Sequence, residues 1–147
     1  MKQILMMFVA VLLFTACGNA KENKADVKEA TTESSEHSSK AVSVANTDPA
    51  TVFVYYFHGK QRCKTCIAVQ KFTQEAVEQM YGDNRKVQFL EVLTDEAGNK
   101  ELVEKYGVTW NALIVAKGDD HIDMTQNAFA NPQGVKEMLK REVDQRL

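Results

Sequence analysis

The 147-residue chain has no surplus of positive charge: 18 Lys and Arg stand against 20 Asp and Glu, a formal net charge of -2. A nucleic-acid backbone is held by clustered cations, so nucleic acid is not an expected partner. Three cysteines are too few to staple a core-poor miniprotein with disulfides. No apolar run approaches the roughly 20 residues that a helix needs to span a bilayer core. Aromatic residues make up only 8%, yet 44% of the chain is hydrophobic and 26% charged. That balance and length suit one globular domain, and they exclude disordered, collagen-like and multidomain readings for the whole.

The N-terminus opens Met1-Lys2-Gln3 and then runs apolar through residues 4–16, with Thr15 its only polar member, before Cys17-Gly18-Asn19. One positive charge followed by so short an apolar stretch has the dimensions of a secretory signal, about 7 to 15 apolar residues and then small ones. Phe14-Thr15-Ala16-Cys17 resembles the bacterial lipoprotein signal, with Phe14 where that pattern most often has Leu. The resemblance implies that residues 1–16 are a lipoprotein signal peptide, and that Cys17 becomes the lipidated first residue after cleavage. The expected location is extracytoplasmic, membrane-anchored and facing the periplasm or cell surface, where a disulfide can persist.

Residues 17–50 read as a lipid-anchored disordered linker. Seven Ser and Thr between Thr31 and Ser43 are interleaved with acidic and basic side chains, and large apolar residues are nearly absent before Val42. Such a stretch buries too little surface to offset the entropy of folding. A coil of about 30 residues extends on the order of 30 Å, enough to hold a domain clear of a membrane. His37 belongs to this tether, and Val42 and Val44 alternate with small residues as an edge strand would.

Residues 51–147 form the expected domain, with 13 basic and 14 acidic side chains. Residues 52–57, Val-Phe-Val-Tyr-Tyr-Phe, are apolar and β-prone without alternation, the pattern of a central strand covered on both faces. Tyr55 and Tyr56 belong to that core. Residues 63–81 carry Cys66, Val69, Phe72, Ala76, Val77 and Met80 at helical spacing, and Gly82-Asp83-Asn84 ends the helix. Residues 86–93 predict a second strand, and 95–106 a short helix stopped by Gly107. Residues 112–116 predict a buried third strand, turning at 117–120 into a half-exposed fourth at 121–125 that carries His121. Asn131-Pro132 opens a last helix with Val135, Met138, Leu139 and Val143 inward. The order is β-α-β-α-β-β-α, with a parallel first pair and a final hairpin. Ligand sites in such α/β sheets lie at the carboxyl ends of the strands.

The loop after the first strand leads to Cys63-Lys64-Thr65-Cys66. Cysteines three apart in a first helical turn can bond to each other. The unpaired N–H groups and positive dipole end of the helix favour a thiolate at the leading one. Arg62 and Lys64 flank Cys63 and add positive charge to the extent that they face the sulfur. Cys66, one turn in, is shielded and suited to resolving a mixed disulfide. His58 is the nearest titratable group, and as a neutral imidazole it would accept the Cys66 proton.

This strand–loop–CxxC–helix arrangement resembles the thioredoxin-like family over residues 51–147. The resemblance implies a three-layer α/β/α sandwich around a mixed four-stranded sheet, with Cys63 as nucleophile and Cys66 as resolving cysteine. It also looks like the tethered periplasmic members that reduce, oxidise or relay disulfides. Phe57-His58-Gly59 with Arg62-Cys63-Lys64-Thr65-Cys66 resembles a branch of small bacterial members. The implied function is extracytoplasmic thiol–disulfide exchange. Its partners would be protein thiols or disulfides and an upstream membrane or periplasmic thiol donor. The domain would be a monomer that needs neither cofactor nor metal.

The chain departs from the family pattern at three places. Arg62 replaces the usual aromatic residue before the motif, and residues 52–57 lack the buried acid that thioredoxins proper place on the central strand. The segment 106–112 has no proline where the family has a cis-proline, with Asn111 or Trp110 in the nearest position. Arg62, Lys64, Trp110 and Asn111 are the expected substrate-binding residues, although Trp110 could equally fill core.

Two other readings compete. Cys63 and Cys66 with His58 or His121 would make a soft Cu(I) site, but no further ligand is spaced beside the pair. A purely structural clip in a tethered binding module has weak motivation, since closing so short a loop adds little stability.

Overall fold

The computed structural model describes residues 48–147. The signal segment, Cys17, His37 and the strand expected at Val42 and Val44 lie outside the described residues.

Strand β1 (Val52–His58) is followed by helix α1 (Lys64–Tyr81), strand β2 (Val87–Leu93), a 3-10 turn (Ala97–Asn99) and helix α2 (Lys100–Lys105). Strands β3 (Ala112–Lys117) and β4 (Asp120–Asp123) come next. The chain ends with helix α3 (Thr125–Ala130), a second 3-10 turn (Pro132–Gly134) and helix α4 (Val135–Asp144). The sheet order is β2-β1-β3-β4. Strand β1 is parallel to β2 and antiparallel to β3, and β3 and β4 form an antiparallel hairpin. The central position of β1 follows from its composition, because all seven of its residues are buried.

The alternation of side chains along a strand divides the core in two. Val52, Val54 and Tyr56 pack on one face with Leu113 and Val115 of β3, against Val69, Ala76 and Val77 of α1, Ala128 of α3, and Leu139 and Val143 of α4. Phe53, Tyr55 and Phe57 pack on the other face with Val92, Ile114 and Leu102 of α2, and Tyr106 leans against this cluster. Helices therefore cover both faces of a mixed four-stranded sheet, which is the expected three-layer α/β/α arrangement. The end of α1 is tied to α4 by the Tyr81 hydroxyl, which donates to Asp144 Oδ1 at 2.7 Å.

Local structure differs from the sequence expectation at three points. The helix expected at 95–106 is a 3-10 turn leading into a six-residue α-helix. It stops at Gly107, whose φ of 62° is a left-handed conformation that glycine adopts without steric cost. The fourth strand is shorter than expected, ending at Asp123. Residues 125–130, unassigned or placed at the strand end from sequence, form α3. With only six residues, α3 is too short to display a 3.6-residue period. Tertiary contacts fix it: Ala128 is buried, and the Thr125 hydroxyl accepts from the backbone N–H of Leu113 at 3.0 Å.

Candidate active site

The buried strand β1 delivers its carboxyl end, His58, to the loop that carries the cysteines. Cys63 is the N-cap of α1, with extended backbone dihedrals of φ -89° and ψ 164°. The helix therefore begins immediately beyond its sulfur. Cys63 and Cys66 form a disulfide with their Cα atoms 5.0 Å apart. The two sulfurs sit in different environments, since Cys63 is exposed and Cys66 is only 3% exposed. Cys63 Sγ also accepts a hydrogen bond from the backbone N–H of Cys66 at 3.0 Å. A thiolate at Cys63 would thus keep one direct donor and the positive end of an 18-residue helix with no acidic residue in its first turn.

The residues flanking Cys63 do not behave alike. Lys64 is exposed. Arg62 is half-buried. Its Nη1 lies 3.6 Å from Glu91 Oε1, its Nη2 donates to Gln70 Oε1, and its guanidinium sits 5.9 Å from the centroid of the Tyr56 ring. These contacts engage the guanidinium that the sequence sets next to Cys63. Its three partners offer a half-buried guanidinium more than solvent-facing sulfur does. Arg62 instead braces the loop against β2 and α1. The Tyr56 hydroxyl adds a second brace by donating to the Cys66 carbonyl at 2.7 Å. Burial raises the Tyr56 pKa against the lowering pull of Arg62, so the phenol remains a donor.

His58, 4% exposed, has both ring nitrogens engaged. Nδ1 lies 2.9 Å from the Gly59 carbonyl, and Nε2 lies 2.5 Å from Glu91 Oε1. A carbonyl can only accept, so Nδ1 carries a proton and the Nε2–Oε1 contact shares another. For His58 to take a proton from Cys66, one of these bonds must first break. Glu91 is the functional candidate that sequence reasoning missed. Its hydrogen bond to His58 holds its carboxyl below the usual carboxylate range, burial opposes this, and Arg62 adds to the lowering. β1 has no acid of its own, but the parallel register sets Glu91 of β2 beside Tyr56. A charged residue interrupting the largely apolar run 87–93 was the only sequence signal for it.

At the carboxyl ends of β1 and β2, Gly59, Lys60, Thr94, Asp95, Trp110 and Asn111 border an open groove of about 270 Å³. Lys60 Nζ and Asp95 Oδ2 lie 3.3 Å apart at this groove. Trp110 is 78% exposed and does not fill core. Ile67, one turn beyond Cys63, is a second exposed apolar side chain. Asn111 occupies the position directly before β3, with no cis peptide bond among the described residues. Its Nδ2 lies 3.6 Å from Cys66 Sγ. His121 is far from this end of the sheet: it pairs with Ala116, whose β1 partner is Phe53, and its ring meets Tyr106 edge-on at 5.1 Å. Among the described residues, no three His, Cys, Asp or Glu side chains are grouped to hold a metal ion.

No protein-family model and no curated protein matches this chain. Solved structures similar to it include the following two. Thioredoxin-2, described as a component of malaria parasite protein secretion machinery, is 24% identical over 62% of this chain and 82% of its own, with a TM-score of 0.46. A malarial protein is 24% identical over 56% of this chain and 96% of its own, with a TM-score of 0.37. The fold assignment above rests on this chain's own strand order and layers.

Proposed function

We propose that this domain is an extracytoplasmic thiol–disulfide oxidoreductase that exchanges the Cys63–Cys66 pair with cysteines of partner proteins. One observation carries the reading: an exposed sulfur, itself the N-cap of a long helix and the acceptor of a backbone N–H, is bonded to a buried sulfur one turn in. Exchange needs this asymmetry. The accessible sulfur meets the partner, its anion is favoured by the helix terminus, and the shielded sulfur either leaves or resolves. Exposed Trp110 and Ile67 would give a partner peptide apolar contact, and Lys60 and Lys64 would flank it.

The extracytoplasmic setting is supported by the sequence of residues 1–17, with lipidation at Cys17 anchoring the domain through the linker at 18–50. In that setting the partners would be exported proteins with cysteines and a membrane or periplasmic thiol donor.

Trapping tests the assignment. Cys66→Ser should accumulate a mixed disulfide between Cys63 and a partner, detected by non-reducing electrophoresis and mass spectrometry, whereas Cys63→Ser should trap nothing. A potential for the pair between about -270 and -120 mV would agree with exchange. Trapping by Cys63→Ser, trapping by neither variant, or stoichiometric copper that blocks thiol labelling would overturn the reading.

A further inference from the structure

The carboxamide of Asn111 reaches the buried sulfur of the pair, and its geometry goes beyond docking a partner. Nδ2 lies 3.6 Å from Cys66 Sγ, within reach for an N–H to sulfur bond. Asn111 Oδ1 is buried and has no hydrogen-bond partner among the described residues. An amide held for structure would normally satisfy its carbonyl, because an unpaired buried acceptor is costly. The amide nitrogen is directed at the sulfur. A disulfide or thiolate sulfur has lone pairs and no proton, so the amide must face it with N–H rather than with C=O.

We infer that Asn111 is a catalytic residue of the exchange reaction, donating a hydrogen bond to the Cys66 thiolate as it forms or attacks. The inference rests on the proposed exchange function and names the group that stabilises its buried anion. A partner thiolate attacks Cys63 Sγ, a new sulfur–sulfur bond forms between partner and Cys63, and the Cys63–Cys66 bond breaks. The electron pair of the broken bond leaves on Cys66 Sγ. A second partner thiolate then attacks the partner's own sulfur in the mixed disulfide and expels Cys63 as thiolate. The partner dithiol has lost two electrons to become a disulfide, and the cysteine pair has gained them. Run backwards, the Cys66 thiolate attacks Cys63 and releases the partner reduced.

In both directions the charge on Cys66 develops at a site 3% exposed, where water cannot fully solvate it. The helix terminus and the Cys66 N–H serve Cys63 instead. Asn111 reaches Cys66 from another part of the fold, the entry to β3, and so places a donor on the buried sulfur.

The test uses the whole oxidised domain and dithiothreitol as the attacking dithiol, with reduction followed by acid quenching and mass analysis. Asn111→Ala should be reduced about tenfold or more slowly than the unmutated chain, the size expected for losing a hydrogen bond to a charged group. Asn111→Asp, nearly isosteric, should be slower still because it sets a carboxylate against the sulfur. In a Cys63→Ser background, the ultraviolet thiolate absorbance of Cys66 should emerge at higher pH when Asn111 is Ala. Thermal unfolding of each variant establishes that it is folded. Folded Asn111 variants with unchanged reduction rates and an unchanged Cys66 titration would overturn the inference and leave exchange standing. Failure of Cys66→Ser to form any mixed disulfide would overturn the exchange reading itself.

Discussion

Glu91 Oε1 lies 2.5 Å from His58 Nε2 and so joins β2 to the last residue of β1 at the point where the chain leaves the sheet for the cysteine loop. The same oxygen is 3.6 Å from Arg62, the residue before Cys63. One carboxylate therefore holds both ends of the segment 58–62. The acid stands on β2, beside the central strand, and contacts both a histidine and an arginine.

The first consequence is a pH dependence of stability. Glu91 is held below the usual carboxylate range, chiefly by the hydrogen bond from His58. A carboxyl depressed on folding adds stability that is present above its unfolded value of about 4.3 and is lost as pH falls through the lower folded value. Glu91→Gln should be less stable than the unmutated chain by about 1–3 kcal/mol near neutral pH, and the gap should narrow below about pH 4. Urea unfolding at a series of pH values measures it. A gap that stays constant into acid would show that the Glu91 charge contributes nothing.

Arg62 and Glu91 should be energetically coupled. Arg62→Ala, Glu91→Ala and the double variant form a cycle whose interaction energy we expect to be about 1 kcal/mol, within the range for groups sharing a network. Arg62→Lys should recover only part of it, since an ammonium cannot reach Glu91 and Gln70 together as a planar fork does. Denaturant midpoints for the four proteins decide the matter. Strict additivity would mean that the two side chains brace the loop independently.

Trp110 should matter for partners and little for folding. It is 78% exposed, so Trp110→Ala is expected to change stability by less than about 0.5 kcal/mol. Exposed aromatic side chains beside a reactive centre are frequent anchors for a partner, and losing one commonly costs more than about 1 kcal/mol of binding. The Cys66→Ser/Trp110→Ala protein should therefore trap less partner than Cys66→Ser alone, read as the yield of mixed disulfide at equal concentrations. Equal yields would assign the docking surface to other residues.

The parts legible in the sequence were those encoded over a few residues. The uninterrupted apolar run at 52–57 marked a doubly covered central strand, and the three- and four-residue spacing after Cys66 marked α1. Helix α3 escaped because six residues hold too few apolar positions to show a period, and its place is set by β3 through Thr125. The expectation for Arg62 followed chain adjacency to Cys63, whereas its side chain reaches the half-buried Glu91 on β2.

By itself the sequence determined the disulfide element, because a cysteine at a helix start and a second one three residues on interact through the geometry of a single turn. It also determined the uninterrupted apolar run of the central strand, which is buried on both faces of the sheet. Only the tertiary structure decided what surrounds the sulfurs. His58 and Glu91 are 33 positions apart, and Cys66 and Asn111 are 45 apart. Strand register and the crossover between elements set such distances, and no local preference of the chain encodes them.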